Sequence, residues 1–306
     1  MNILIIGLGS IAKKHIAAIK TIEETSVIYA LRSGKNAEAY PGVHNISTLE
    51  ELPIKPDFVI IANPTLLHEQ AIQQGIDLGC PLFIEKPVLS NADNAEELKK
   101  RIYGKKILTY TACNLRFHPA LQFLKKHIAE TKPVINEVNI YCGSYLPDWR
   151  PGTDFRKSYS SISSMGGGVH LDLIHELDYC QWLFGEPSQI NALKRSVSGL
   201  RVDAVDYANF TLLYPQFTAN IILNYYRRDP KRHLELVMEN DTLFIDLLNN
   251  KIISTMSGKK IFEEPFSMIK TYESQMRYFF HALKNKQQTM NDISEGISVL
   301  KMAMHE

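Results

Sequence analysis

Two short stretches hold the residue types that can move a proton or steady a developing charge. Glu85-Lys86-Pro87 sets a carboxylate and an amine against a proline, and Asp172, His175 and Glu176 follow the triple glycine at 166–168. A histidine beside carboxylates suits proton transfer because its ordinary pKa lies near neutrality. Lysine and glutamate are rarely buried unless paired or functional. The first stretch follows Pro81-Leu82-Phe83-Ile84, an apolar run of strand length, so its charges stand at a strand's carboxyl end. The bland alternative there is a surface salt bridge beside a turn. For the second, a helix from Gly168 to about Phe184 gathers Asp172, His175, Glu176 and Tyr179 into one stripe about 100° wide. Leu173, Ile174, Leu177 and Phe184 spread over the other side, as does His170, which is therefore set aside as a catalytic candidate. The alternative is a helix lying on the surface with its polar side merely solvated.

The elements that must position these residues begin at the amino end. Asn2-Ile3-Leu4-Ile5-Ile6 is a buried-strand run that meets Gly7-Leu8-Gly9-Ser10-Ile11-Ala12, and a helical pattern follows. Strand, glycine turn and helix together form a dinucleotide-binding fingerprint. Gly7 permits the tight turn, Gly9 lets backbone approach a pyrophosphate, and Ala12 keeps helix and strand close. The helix start at Ser10 and Ile11 offers amides to the phosphates. Further strands are expected at residues 26–31, 57–62, 81–84 and 107–112, with helices at 66–78 and 91–103. A capping-box start is expected at Ser47-Thr48-Leu49-Glu50. This alternation predicts a doubly wound parallel sheet, a Rossmann domain over residues 1–117. Turns at the carboxyl ends of such strands face the ligand crevice, which makes Asn63, Thr65, His68, Glu85, Lys86 and Asn114 candidate cofactor contacts.

The second strand ends Leu31-Arg32-Ser33 with no carboxylate for a ribose 2′-hydroxyl. Arg32 and Ser33 could instead hold a 2′-phosphate, which favours NADP. An Arg32 that stacks on adenine is compatible with NAD as well. The aromatic loop Tyr145-Leu146-Pro147-Asp148-Trp149-Arg150-Pro151 suits a sugar ring and its hydroxyls, or serves as a rigid connection. Tyr145, Trp149 and Arg150 are its candidate substrate contacts, with Arg116 and Glu176 added from the neighbouring motifs. Residues 134–144 read as a half-buried antiparallel strand, and strands continue at 205–213, 217–226, 233–238 and 242–246. Helical patterns return at 272–283 and from 294 onward.

At 306 residues, two domains are expected. A formal net charge of +1 and scattered basic pairs give no electrostatic case for nucleic acid or a membrane surface. No stretch approaches the length needed to span a bilayer. The amino-terminal run is broken by glycines and lacks a basic leader, so it does not read as a signal peptide. Four widely spaced cysteines with no C-x-x-C point to buried thiols in a reducing, cytoplasmic setting. The histidines show no same-face pair on a helix, so no metal site is expected.

These motifs resemble one family, the glucose–fructose oxidoreductase, inositol dehydrogenase and MocA dehydrogenases. The resemblance rests on Gly7-x-Gly9-x-x-Ala12, Asn63-Pro64-Thr65 with His68, Glu85-Lys86-Pro87, and Asn114-Leu115-Arg116-Phe117-His118-Pro119. The glycine-led helix completes it. It implies an NAD(P)-dependent enzyme acting on a secondary alcohol of a sugar, cyclitol or nucleotide-sugar. It also implies a carboxyl-terminal α+β domain, here 118–306, with an open-faced, mostly antiparallel sheet that carries substrate and joins copies into a homodimer or homotetramer. The last helix is expected to pack back on the first domain. Carried over by motif, the catalytic residues are Lys86, Asp172 and His175, converging beside one nicotinamide. The family more commonly separates its Asp and His by four residues rather than three. Two other readings stay open: a dinucleotide-dependent sensor without turnover, and a glycosidase that retains its NAD with no net redox change.

Overall fold

The structure, a computed structural model, describes residues 1–34 and 38–305. The chain divides into two compact units, residues 1–114 with 268–300, and residues 115–267 with 301–306.

In the first unit, strands β1 (Asn2–Ile6), β2 (Val27–Leu31), β3 (Val43–Ile46), β4 (Phe58–Ile61), β5 (Leu82–Glu85) and β6 (Thr109–Ala112) form one sheet in the order 3-2-1-4-5-6. Every pairing is parallel. Helices α1 (Ser10–Ile22), α2 (His68–Leu78) and α3 (Ala95–Gly104) belong to this unit. Strands covered on both faces need apolar residues at every position, and Phe58 to Ile61 and Leu82 to Glu85 are buried throughout. Strand β3 is a finding that the apolar pattern did not announce. It sits at the sheet edge with half-exposed residues, where no continuous apolar run is required.

The second unit holds helices α4 (Pro119–Thr131), α5 (Val169–Asp172) and α6 (His175–Phe184). Its sheet contains β7 (Ile135–Tyr145), β8 (Gln189–Arg195), β9 (Tyr207–Leu213), β10 (Thr218–Asn224), β11 (Tyr226–Met238), β12 (Thr242–Asp246), β13 (Lys251–Ser254) and β14 (Lys260–Glu263), in the order 14-13-12-11-7-10-9-8. The sheet is mostly antiparallel, with one exception at its centre. Strand β7 runs antiparallel to β11 but parallel to β10, so the expected antiparallel strand carries a mixed pairing. The Asp229-Pro230 turn signal lies inside β11, where the register shifts between Tyr226 and Lys231. Such an irregularity tolerates a proline that cannot donate to the ladder. Alternate residues face the core, among them Val138, Ile140, Phe210, Leu212, Ile221 and Leu236. Helix α5 packs on β9 and β10, and α6 on β7. The opposite face is half-buried, with an amide and hydroxyl ladder of Asn139, Asn220 and Thr211 across three strands.

After β14 the chain returns to the first unit with α7 (Met268–Asn285) and most of α8 (Ile293–Met304). The sequence reading set the second domain at 118–306 and expected only the last helix to pack back on the first; α7 joins the first unit as well. Phe279 of α7 packs edge-on against Phe58 and Phe83. Between the helices, Asn291 takes the Thr111 amide with its carbonyl and donates its side-chain amide to the Thr111 carbonyl. An exposed edge strand is a pairing liability, and this segment covers β6.

Two histidines of the second unit are buried as neutral groups. Burial pushes His118 and His170 down to about 4. Above pH 6.5 both are neutral folded or unfolded; between 6.5 and 4 the unfolded chain takes up protons that the folded one refuses. Stability should therefore fall through that window, by on the order of 3 kcal/mol for each histidine. A flat melting midpoint between pH 7 and 4.5 contradicts this, and His118→Gln should make the decline shallower.

Candidate functional site

In the first unit the carboxyl ends of β1, β2 and β4 open on a cleft of about 940 Å³, lined in part by Gly7, Arg32, Ser33, Thr48 and Asn63. Two glycines shape it for different reasons. Gly7 has φ +90°, and a Cβ there would lie 2.6 Å from the Asn63 Cα. Gly9 has nothing within 4 Å of its would-be Cβ and, as N-cap of α1, supplies no capping side chain. The first-turn amides of α1 are thereby left as donors for an anionic group. Ser10 is exposed, Ile11 half-buried and Ala12 fully buried, as close helix–strand packing requires. The Arg32 guanidinium lines the cleft and donates to the Glu38 carbonyl at 2.6 Å. Thr48 and Glu51 close the capping box beside it.

Three residues expected to touch cofactor are buried and bonded within the first unit. His68 is 1% exposed, with Nε2 3.0 Å from the Asn63 carbonyl oxygen and Nδ1 3.0 Å from that of Pro87. It bolts the Asn63 turn to the Lys86 turn, and burial pushes its pKa down. Glu85 is buried, its Oε1 2.6 Å from Nε2 of His15 on α1, while its Oε2 accepts the Lys86 backbone amide. Asn114 is buried and donates its amide to Thr271 of α7 at 2.7 Å. Lys86 and Asn63 are half-buried, and Thr65 begins the short turn before α2.

In the second unit the expected continuous helix is broken. Leu173 leaves helical geometry at φ −98° and ψ 32°, so α5 ends at Asp172 and α6 starts at His175. The wheel that placed four polar residues in one stripe loses its phase at this break. Asp172 is buried and accepts the Tyr225 hydroxyl at 2.5 Å. His175 is half-buried. Glu176 is 0% exposed and held by Arg232 through two hydrogen bonds of 2.6 and 3.1 Å. Tyr179 is fully buried.

Arg116 is likewise sealed, 0% exposed, in a pair with Asp178 that includes a 2.8 Å bond. Glu176 and Arg116, expected as substrate contacts, are thus each buried in an ion pair within the second unit. Of the remaining candidates, Trp149 and Arg150 are linked to Asp172 through the Tyr225 and Tyr159 rings, whereas Tyr145 pairs with Tyr226 and takes the other face of the sheet. Trp149 meets the Tyr225 ring edge-on and donates to Ser144, Arg150 lies over Tyr159, and Tyr145 lies under Arg228. Sequence reasoning missed Tyr225, Arg232 and Asp178. The only hint of Tyr225 is local, a buried Leu223, Asn224 and Tyr225 in succession where strand alternation stops.

Residues 1–111 match the family described as oxidoreductases with an NAD-binding Rossmann fold, and residues 134–244 match the GFO/IDH/MocA C-terminal domain. This chain belongs to the GFO/IDH/MocA oxidoreductase family. It is 28% identical over 201 residues to the scyllo-inositol 2-dehydrogenase (NADP(+)) IolW of Bacillus subtilis (strain 168), covering 64% of this chain and 54% of that protein. It is 25% identical over 217 residues to the inositol 2-dehydrogenase of Rhizobium meliloti (strain 1021), covering 68% and 63%. The matches span less than two thirds of the length of these curated relatives. Among solved structures, the UDP-N-acetylglucosamine 3-dehydrogenase GnnA from Acidithiobacillus ferrooxidans superimposes with a TM-score of 0.80 at 20% identity, covering 99% of this chain and 95% of that one.

The GFO/IDH/MocA chain thus has a cradle whose shape fits a dinucleotide, because the space a Gly9 Cβ would fill is open while that of Gly7 is not. The two glycines make a discriminating pair. Gly7→Ala should destabilise the protein by about 1–3 kcal/mol through strain and its collision with Asn63. Gly9→Ala should leave the melting midpoint unchanged yet weaken dinucleotide binding by about tenfold or more, since its methyl occupies the approach to the phosphates. Thermal unfolding measures the first and calorimetric titration with NAD(H) and NADP(H) the second, and equal binding by Gly9→Ala and wild type contradicts the placement.

Proposed function

We propose that this protein is an NAD(P)-dependent oxidoreductase of secondary alcohols and ketones in sugars, cyclitols or nucleotide-sugars. The observation that carries the reading is the pairing of chemistries within one chain. One unit holds the open glycine turn at Gly9 and, just past the end of β5, Lys86, and the other holds a buried carboxylate, Asp172, bonded to Tyr225, with His175 at the next helix start. The names borne by the inositol and UDP-N-acetylglucosamine dehydrogenases support the substrate class.

When bound, the nicotinamide dinucleotide supplies the hydride acceptor or donor. Gly7, Gly9, Ser10, Ile11, Asn63 and Thr65 would hold it, with Arg32 and Ser33 at the ribose end, where their charge and hydrogen bonding would favour NADP. His175 takes the proton of the substrate hydroxyl as general base. Lys86 donates to the reacting oxygen and offsets its developing negative charge. Asp172, held by Tyr225, orients Lys86 or a neighbouring hydroxyl. The half-buried sheet face of Asn139, Thr211 and Asn220 is the surface through which copies join as a homodimer or homotetramer, and the compartment is the cytoplasm.

The decisive test is spectrophotometric. Purified protein is screened with NAD and NADP against polyols, aldoses and nucleotide-sugars, following the reduced-nicotinamide band. Substrate-dependent reduction, with higher kcat/KM for NADP, is the expected result. Dinucleotide binding without turnover on any member points to a sensor. Cofactor that co-purifies and does not exchange while a glycosidic bond is cleaved points to the glycosidase.

A further inference from the structure

We propose that His15 is a positioning residue of this enzyme: it fixes the Glu85 carboxylate, which in turn holds the Lys86 backbone amide and so sets where the catalytic amine stands. The proposal rests on the dehydrogenase reading above and adds a residue to its machinery. His15 lies on the buried face of α1 and is itself fully buried. Its Nε2 is 2.6 Å from Oε1 of Glu85. An ionised carboxylate can only accept, so Nε2 carries the proton and donates. The other Glu85 oxygen, Oε2, accepts the Lys86 amide at 3.2 Å. Imidazole, carboxylate and amide thus form a chain from α1 to the residue just past the end of β5.

The surroundings hold the imidazole in one place. Phe83 and Glu85 are alternate residues of β5, so their side chains leave the same face of the sheet. Both meet His15, Phe83 edge-on at 4.9 Å and Glu85 through its hydrogen bond. Tyr272 of α7 adds a second edge-on contact at 5.9 Å. An apolar side chain would suit so aromatic a place at no polar cost, whereas Nδ1 of His15 is buried with no hydrogen-bond partner among the described residues. What histidine adds is a proton for a carboxylate that is itself buried, and such a group is tolerated only when hydrogen-bonded. The far end of that carboxylate lands on the Lys86 amide. Lysine carries its charge on a flexible four-carbon stem, so a defined place for the amine begins with a fixed backbone. A misplacement of about 1 Å between reacting groups can cost about a hundredfold in rate.

Two readouts on the full chain test this, and one of them needs no substrate. His15→Leu keeps the bulk and loses the donor, whereas His15→Gln sets an amide nitrogen about as far from the backbone as Nε2. In hydrogen exchange followed by NMR, the Lys86 amide should exchange about tenfold or more faster in His15→Leu, beyond any change shared by the amides of β1. On the best substrate of the screen, His15→Leu should lower kcat by about tenfold or more, with dinucleotide affinity within about threefold of wild type. His15→Gln should recover most of both losses. In a Lys86→Ala background His15→Leu should cost no further kcat, because the amine it positions is gone. If His15→Leu does not fold, His15→Asn, whose amide stops short of Glu85, takes its place. Unchanged exchange at Lys86, wild-type kcat in His15→Leu, or glutamine no better than leucine overturns the proposal. The same loss of kcat with and without the Lys86 amine overturns it too, since that marks a purely structural role. Exchange that responds as expected in a protein that turns over no substrate keeps the anchor and discards the dehydrogenase.

Discussion

Replacing Lys86 by alanine is expected to lower kcat by about a thousandfold while dinucleotide affinity stays within about threefold of wild type. The amine is set at a strand terminus whose neighbours are all committed elsewhere. Glu85 is bonded to His15 and to the Lys86 backbone amide, and His68 ties the Pro87 carbonyl to the Asn63 turn. Removing the side chain therefore deletes a charge at the reacting oxygen without loosening the scaffold beneath it. His175→Ala should show a loss of similar size, with a distinguishing mark. With its general base gone, the variant should show a kcat/KM–pH profile of a different shape from wild type, whereas a purely structural loss would leave the shape unchanged. On the proposed mechanism both residues serve one transition state, so the double variant should be little worse than either single one. Wild-type turnover in either single variant, measured on the best substrate of the screen, removes the assignment.

The parts of this molecule that were readable from residues alone are those whose physics is local. A buried parallel strand must be apolar along its length, so β1, β4 and β5 stand out, and a glycine-led turn announces the cradle at Gly7 and Gly9. The terminal position of Lys86 follows from the same strand pattern. Where partners come from far along the chain, the pattern is silent. The break at Leu173 separates Asp172 from His175, and helical periodicity carried no sign of it. Nearby carboxylates instead meet partners on different elements, Asp172 with Tyr225, Glu176 with Arg232 and Asp178 with Arg116. An amphipathic period says that α7 must bury a face, yet not against which sheet, so its return to the first unit was missed. Strand β3 was missed because an edge strand needs so little apolar surface. His68 lies between the Asn63 and Pro87 carbonyls, and Glu85 meets His15 and the Lys86 amide, contacts that no local pattern could announce.

The buried ion pair of Arg116 and Asp178 carries the largest expected effect on stability. Both residues are 0% exposed. The guanidinium Nε reaches the two carboxylate oxygens at 3.2 and 3.1 Å, while its Nη2 reaches Oδ1 at 2.8 Å. Desolvating such a pair is costly, so its net contribution relative to a well-packed apolar pair is small. Removing one member is a different matter, because the other is left as an uncompensated charge in a dry interior. Arg116→Ala should therefore cost about 3–5 kcal/mol, lowering the melting midpoint by roughly 10 °C for a unit of this size. The exposed pair Lys126 and Glu130 on α4 is the natural comparison, and Lys126→Ala should change stability by no more than about 1 kcal/mol. Arg116→Met combined with Asp178→Leu separates charge burial from lost packing. If stranded charge is the cause, that double variant should be more stable than Arg116→Ala although it lacks the pair altogether. A double variant that melts below the single one would instead place the cost in the side-chain packing around the guanidinium.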